Sequence, residues 1–302
     1  MKIGLIDVDS HSNFPNLATM KLSAYHKAQG DDVEWWNGFV HYDRVYQSKV
    51  FDESYTKDME FCIMADEVVK GGTGYDLDNK LPNEIEHICP DYSIYGITDT
   101  AYGFLTRGCP RACPFCIVSA KEGRKSNTVA DLDEFYRGQK NIELLDPNLL
   151  ASKGHEKLLM QLADSKAWVN FSQGLDARLL TKDNIELINN VHVKNIHFAW
   201  DFVGNESQIR GGLEQYRRFA KRKISSHGYA IVYVLTNFNT THEEDLYRVN
   251  TLRSMEFEPY IMIYEKDTAP KITKHLQRYV NNRYIFYSTT WEEYLKTRKV
   301  IE

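Results

Sequence analysis

Thr106-Arg107-Gly108-Cys109-Pro110-Arg111-Ala112-Cys113-Pro114-Phe115-Cys116 places three of the chain's five cysteines within eight positions, spaced C-x3-C-x2-C. Pro110 and Pro114 occupy the two gaps, so the stretch is a tight loop and not a helix face. A crowd of thiols in a loop points to a metal or iron–sulfur site, because soft sulfur ligands select zinc, copper(I) or iron–sulfur clusters. Ligand number then discriminates. A structural zinc site takes four closed ligands, usually from two knuckles, and no second Cys-x-x-Cys or Cys/His pair follows. A cubane held by three cysteines keeps one iron free for a ligand that is not protein. A bland reading, three unrelated thiols packed as small apolar residues, fits poorly with the proline and glycine around them.

At these residues the chain resembles the radical S-adenosylmethionine (SAM) enzymes. In that superfamily a C-x3-C-x2-C loop after the first barrel strand ligates a 4Fe-4S cluster, and an aromatic residue precedes the last cysteine, as Phe115 does here. The lead-in Thr106-Arg107-Gly108-Cys109 is similar to the branch that contains methylthiotransferases and cobalamin-domain members. The resemblance implies that SAM chelates the open iron through its amino and carboxylate groups. It also implies that the reduced cluster cleaves the sulfonium to a 5′-deoxyadenosyl radical, which abstracts hydrogen from a substrate. A reductant such as flavodoxin or ferredoxin is the implied partner. The substrate, whether small molecule, peptide or nucleotide, is not named by the loop.

The totals are compatible with this. A chain of 302 residues with 42% hydrophobic content is long enough for one large or two modest domains. A net charge of -5 gives no global basic footprint for nucleic acid. No apolar run approaches membrane-spanning length, and Met1-Lys2 leads straight into a strand-like run without a signal peptide. Five cysteines, an odd number with three clustered, do not form a disulfide framework. The expected compartment is a reducing cytoplasm.

Outward from the loop toward the N-terminus, the pattern predicts a small open α/β unit. Lys2–Val8 is an apolar strand ending in the polar turn Asp9-Ser10-His11-Ser12-Asn13, and a helix follows from Pro15 with Leu17, Met20, Leu22, Tyr25 and Ala28 at helical spacing until Gly30. Further strands are expected at Val33–Trp36, Arg44–Phe51, Phe61–Val69 and Tyr92–Tyr95. This front piece resembles the Rossmann-like cobalamin-binding domain of many relatives, with Asp9-Ser10-His11, Ser48-Lys49-Val50 and Gly71-Gly72 in place of its D-x-H, S-x-L and glycine-pair signatures. It departs where the D-x-H signature expects a glycine and the chain has Phe14-Pro15, and about 95 residues is short for a domain that wraps a corrin tail. Cobalamin is therefore disfavoured, and with it the alternative of a cobalamin-dependent radical SAM methyltransferase. Cys62, within an expected strand, and Cys89, before Pro90, read as core or turn thiols.

Toward the C-terminus, strands and helices alternate, which predicts a partial parallel barrel with its site at the strand C-termini. After the polar run Ser119–Asn127, a helix is expected over Asp131–Lys140, with Leu132, Phe135 and Tyr136 inward. Strands are expected at Asn141–Leu145, Trp168–Ser172, Asn195–Trp200, Tyr229–Leu235 and Glu258–Tyr264. Each exit carries candidates. Asp146 stands where the superfamily holds the SAM amino group, and a carboxylate suits an ammonium. Gln173, Asp176 and Arg178 are placed for the SAM carboxylate or ribose, Arg178 by its bidentate fork, although Asp176 and Arg178 could equally pair with each other. Asp201 is placed for ribose hydroxyls, ahead of mid-strand His197, which reads as a hydrogen-bonded core residue. Asn237 and Asn239 lie where relatives line the adenine and substrate pocket, and both are also turn formers. The helix Gln208–Lys223 holds the one basic concentration, but Glu214 interrupts it and no aromatic platform is interleaved, so nucleic acid is not favoured.

The expected fold is thus α/β: a partial parallel (β/α)6 barrel of radical SAM type over residues 98–268, preceded by a small Rossmann-like domain over 1–97. A C-terminal helical cap, one amphipathic helix and its tail, follows over 269–302. The rival class is a non-catalytic iron–sulfur or zinc protein, in which Cys89 or His87 closes the metal site.

Overall fold

A computed structural model describes residues 1–12, 14–59 and 61–298. The chain begins with β1 (Lys2–Asp7), α1 (Leu17–Ala28), β2 (Asp32–Trp35), β3 (Tyr42–Ser48) and β4 (Ala65–Gly71), and these strands form a parallel sheet in the order β2-β1-β3-β4. Asn16 starts α1 by accepting from the Ala18 and Thr19 amides at 3.1 and 3.3 Å, and Gly30 ends it in the left-handed region at φ +81°. Period-2 alternation splits β1 between two small cores. Ile3 and Leu5 pack with Leu22 and Ile85 on one face, and Ile6 and Val8 pack with Tyr42 and Val45 on the other.

After α2 (Asn83–Glu86) comes β5 (Thr100–Gly103), then β6 (Thr106–Arg107), α3 (Val118–Lys121) and β7 (Asn127–Thr128). β6 and β7 pair antiparallel across the base of the cysteine loop. The rest alternates: β8 (Asn141–Leu144), α4 (His155–Ser165), β9 (Trp168–Phe171), α5 (Lys182–Ile188), β10 (Val193–Ala199), α6 (Glu206–Phe219), β11 (Ala230–Thr236), α7 (His242–Ser254) and β12 (Glu258–Ile263). The second sheet runs β12-β11-β10-β9-β8-β5, with every pair parallel and every strand beside its neighbour in sequence. One continuous core, including Ile142, Val169, Phe198, Leu213 and Val249, joins this sheet to its helices. The helices α8 (Lys271–Asn281), α9 (Arg283–Ser288) and α10 (Trp291–Thr297) finish the described chain. Among the described residues no helix is long and apolar enough to cross a membrane.

Several expectations are corrected. Tyr92–Tyr95 is a 3-10 turn, because Asp91 caps it through the Ser93 amide and Gly96 closes it at φ +67°. The strand before the cysteines is instead Thr100–Gly103, a run too short and too poor in β-branched residues to stand out. The helix expected at Asp131–Lys140 shrinks to a turn at Leu132–Glu134, and Gly138 at φ +91° is incompatible with a continued helix. Cys62 is exposed and precedes β4, so it is not a core thiol. The single C-terminal helix is three, broken where Asn282 and Thr290 cap new starts through the Ile285 and Glu293 amides. The end of the expected tail, residues 299–302, lies outside the described residues.

Candidate functional site

In a parallel sheet all strand ends of one sense share an edge, so the loops after β5, β8, β9, β10, β11 and β12 meet at the C-terminal side of the second sheet. The cysteine loop is anchored there by its own sequence. Asp146, buried after β8, accepts from the Leu105 amide at 3.1 Å and from the Thr106 amide and hydroxyl at 2.5 and 2.7 Å. Burial pushes its carboxyl up to about 6, against the pull of those donors. Each oxygen of Asp146 is thus already an acceptor, and the residue holds the root of the loop. Glu122 clamps the next turn, accepting from Arg107 at 2.8 Å and from the Gly108 amide at 3.0 Å. Gly108 sits at φ +86°, and a Cβ there would lie 2.1 Å from the Lys125 carbonyl oxygen, so only glycine fits. Ala112 takes a positive φ of 47° between the first two cysteines.

None of the cysteines forms a disulfide; Cys109 and Cys113 are half-buried and Cys116 is exposed. Burial, followed by the charges of Asp201, Cys109 and Cys116, raises the Cys113 thiol, while Arg178 opposes them. These groups therefore share one electrostatic neighbourhood. Among the described residues no three His, Cys, Asp or Glu side chains converge as a formed metal site. The donor set still suits an iron–sulfur cluster in kind, with three thiols on a short loop. Neither proposed fourth ligand joins them: His87 faces Glu134 at 3.1 Å, and the Cys89 sulfur faces the Pro90 and Phe135 carbonyls.

Around the loop, Asp176 is the organising anion. It accepts from Arg178 at 2.7 and 3.1 Å, from Arg111 at 2.5 Å and from Asn148 at 3.4 Å. Burial pushes its carboxyl up, but the two guanidiniums outweigh this and hold it below the ordinary carboxylate range. Asn148 also donates to the Cys109 sulfur at 3.5 Å, and its own Oδ1 is buried without a partner. Two residues that the sequence did not single out, Arg111 and Asn148, therefore tie the cysteine loop to the exit of β9. Arg111 lies between two cysteines, and a fixed charge inside such a loop was the available signal for a buried counter-ion.

Asp201, at the end of β10, is raised to about 6 by burial, which the charges of Arg248 and Arg178 only partly offset. Arg248 is wholly buried and was not anticipated. It donates to the Trp200 and Leu235 carbonyls at 2.6 and 2.8 Å, fastening the ends of β10 and β11 together, and pairs with Asp245. Phe115 meets Phe238 edge-on at 5.4 Å, and Phe238 meets Tyr264 at 4.9 Å, so an aromatic wall runs from the cysteines to the exits of β11 and β12. Asn237 sits at φ +63° and donates to the Tyr264 carbonyl at 2.8 Å, which makes it a turn former supporting that wall. Gln173 is exposed and is not drawn into the group. Matched against protein-family models and curated protein sequences, the chain finds no counterpart.

The front sheet has a second strand-end edge. Its order reverses between β1 and β3, the place where open α/β sheets bind ligands. Asp9 and Ser48-Lys49-Val50 do meet there, since Asp9 accepts from the Val50 amide at 2.5 Å. Lys49, however, is buried and pairs with Glu53. Gly72 and Gly74 pack on the chain itself: a Cβ would lie 2.2 Å from the Lys49 oxygen and 2.1 Å from the Phe51 oxygen. Of the pair Gly71-Gly72, backbone packing accounts for Gly72, whereas a Cβ on Gly71 would meet only the Asn79 side chain at 3.7 Å.

Proposed function

We propose that the chain is a radical SAM enzyme, in which Cys109, Cys113 and Cys116 hold a 4Fe-4S cluster and the surrounding strand ends hold SAM. The observation that carries this reading is the site of the loop: it follows the first strand of a six-stranded parallel sheet in sequence order, and touches the third strand's exit through Asn148 and Asp176 and the fifth's through Phe238. Sequential parallel order favours right-handed crossovers, which turn the helices to one face and favour curling into a partial (β/α)6 barrel. When bound, the cluster supplies an electron to the sulfonium. Arg178 gives Nε and Nη2 to Asp176 and keeps Nη1 for a carboxylate. Asp201 suits ribose hydroxyls, and the wall of Phe115, Phe238 and Tyr264 suits a flat adenine.

The basic helix α6 supports a solvated role for itself, because Arg210 pairs with Glu206 and Arg217 with Glu256. The front sheet enters as a platform, without cobalamin. The test is anaerobic reconstitution with iron and sulfide, followed by dithionite and SAM. We expect about four irons per chain and release of 5′-deoxyadenosine. One zinc and no sulfide would sink the reading.

A further inference from the structure

Period-2 alternation assigns the residues of the second sheet to two faces. Ile142, Val169, Phe171, Ile196 and Phe198 are buried on the face that packs with the helices. Glu143, Asn170, Asn195 and His197 alternate with them and point the other way. Register sets Tyr102, Glu143, Asn170 and Asn195 in one cross-strand row, each opposite the next. Ser172 and His197 begin the following row, nearer the edge that carries the cysteines.

The hydrogen bonding of this face is one-sided. Glu143 Oε1 accepts from Asn170 Nδ2 at 2.7 Å, and burial raises its carboxyl against the pull of Asn170 and of the nearby Ser172 hydroxyl. Asn170 Oδ1 is buried and has no partner. His197 Nδ1 lies 3.0 Å from the Phe171 carbonyl, which can only accept, so the proton is on Nδ1 and Nε2 presents a lone pair. Burial lowers the pKa of this imidazole and keeps it neutral. Two hydroxyls close by are engaged elsewhere, since Ser172 donates to the Leu144 carbonyl at 2.7 Å and Tyr233 to the Ser172 carbonyl at 3.0 Å. The walls are aromatic: Tyr233 stacks on His197 at 5.1 Å and 10°, and Tyr260 meets Tyr233 edge-on at 5.9 Å.

Three acceptors therefore face the same way; of these Asn170 Oδ1 is buried with no donor, and an unmet buried acceptor costs about 1–3 kcal/mol. An anion would add repulsion from Glu143 to that deficit. A flat group carrying N–H donors would remove it while covering the aromatic rings. We propose that this face is the substrate surface and that it takes a flat, non-anionic group bearing N–H donors, of the amidine, guanidine or amino-heterocycle kind, against Glu143, Asn170 and His197. The word substrate rests on the radical SAM reading; the binding chemistry does not.

The experiment titrates benzamidine and benzoate, a donor and an acceptor of the same shape, into the full reconstituted protein by calorimetry, and measures 5′-deoxyadenosine release on the same samples. We expect benzamidine to bind at least about tenfold more tightly than benzoate. Glu143→Gln and Asn170→Leu, checked for native circular dichroism, should each weaken benzamidine about tenfold, and Cys113→Ala should leave it unchanged. Equal binding of the two probes, binding of neither, or benzamidine binding indifferent to both variants overturns the proposal. Benzamidine preference without SAM cleavage would remove the enzyme reading and keep the binding face.

Discussion

Both sheets gather polar residues at the C-terminal ends of parallel strands, and they treat them differently. At the front edge most groups are closed among themselves: Asn16 caps α1 and donates to Ser48, Lys49 is sealed by Glu53, and one oxygen of Asp9 receives the Val50 amide while the other has no partner among the described residues. At the rear edge, the three thiols form no disulfide and, among the described residues, only Cys109 meets a donor, Asp201 keeps a carboxyl raised by burial, and Arg178 keeps one nitrogen free. A strand end becomes a site when its groups are left with unmet bonding capacity. Polarity alone does not make one, as Asn16, Ser48 and Lys49 show.

The sharpest way to break this comparison is Cys113→Ala. We expect complete loss of bound iron and of SAM cleavage, with little change in the thermal unfolding midpoint, because the loop stands outside the continuous core. A variant that unfolds as a whole would mean that the thiols are structural, like the groups at the front edge.

Asp201 gives the next effect. Its folded-state carboxyl is at about 6, above the ordinary 3.8, with burial as the main cause. Between those values the folded chain keeps a proton that the unfolded chain releases, so this group makes the protein less stable as pH rises from about 4 to 6. Asp201→Asn removes that loss. Its stability advantage over the wild type should grow through this window to about 2–3 kcal/mol and stay level above it, as read from urea unfolding at several pH values. Asp146 titrates in both proteins and cancels. A flat difference would place Asp201 in water.

A smaller effect tests how the β9 exit is held. A Cβ on Gly212 would lie 1.8 Å from the Ala177 carbonyl oxygen, whereas one on Gly211 meets nothing within 4 Å. Gly212→Ala should cost about 1–3 kcal/mol by overpacking and displace the Asp176–Arg178 pair. Gly211→Ala should stabilise by up to about 1 kcal/mol through helix propensity. Denaturant midpoints of the two variants, moving in opposite directions, would check both.

The rear sheet was legible where apolar and polar residues alternate over a full strand, as in Ala230–Thr236, and where capping residues such as Thr181 and Thr241 announce the next helix. It was not legible at Thr100–Gly103, whose strand character comes from pairing with β8 rather than from its own residues. In the site, the cysteines and Asp176 could be read from spacing and strand ends. Asp146, Gln173 and Asn237 shared those positions, but only the fold shows that main-chain donors occupy Asp146, that Asn237 supports a turn and that Gln173 faces solvent. Arg248 was hidden for the converse reason: an arginine in a helix reads as surface, and its burial depends on two carbonyls contributed by other strands. Contacts distant in sequence leave little local trace.

The smallest expected effect lies at the front edge, and it tests the comparison from the other side. Asp9 is 3% exposed; one oxygen takes the Val50 amide and the other has no partner among the described residues. Its charge also helps raise Asp7, after burial has done most of that. In Asp9→Asn the amide oxygen can keep the Val50 bond while the new N–H group turns toward Asp7, replacing a repulsion with a donor. Exchanging a charged for a neutral hydrogen bond costs about 1 kcal/mol, and the relief at Asp7 offsets part of it. Urea unfolding should therefore move by less than about 1 kcal/mol, and 5′-deoxyadenosine release should stay at the wild-type rate. A variant that folds normally but cleaves SAM slowly would make the front edge part of the site and end the distinction between the two sheets.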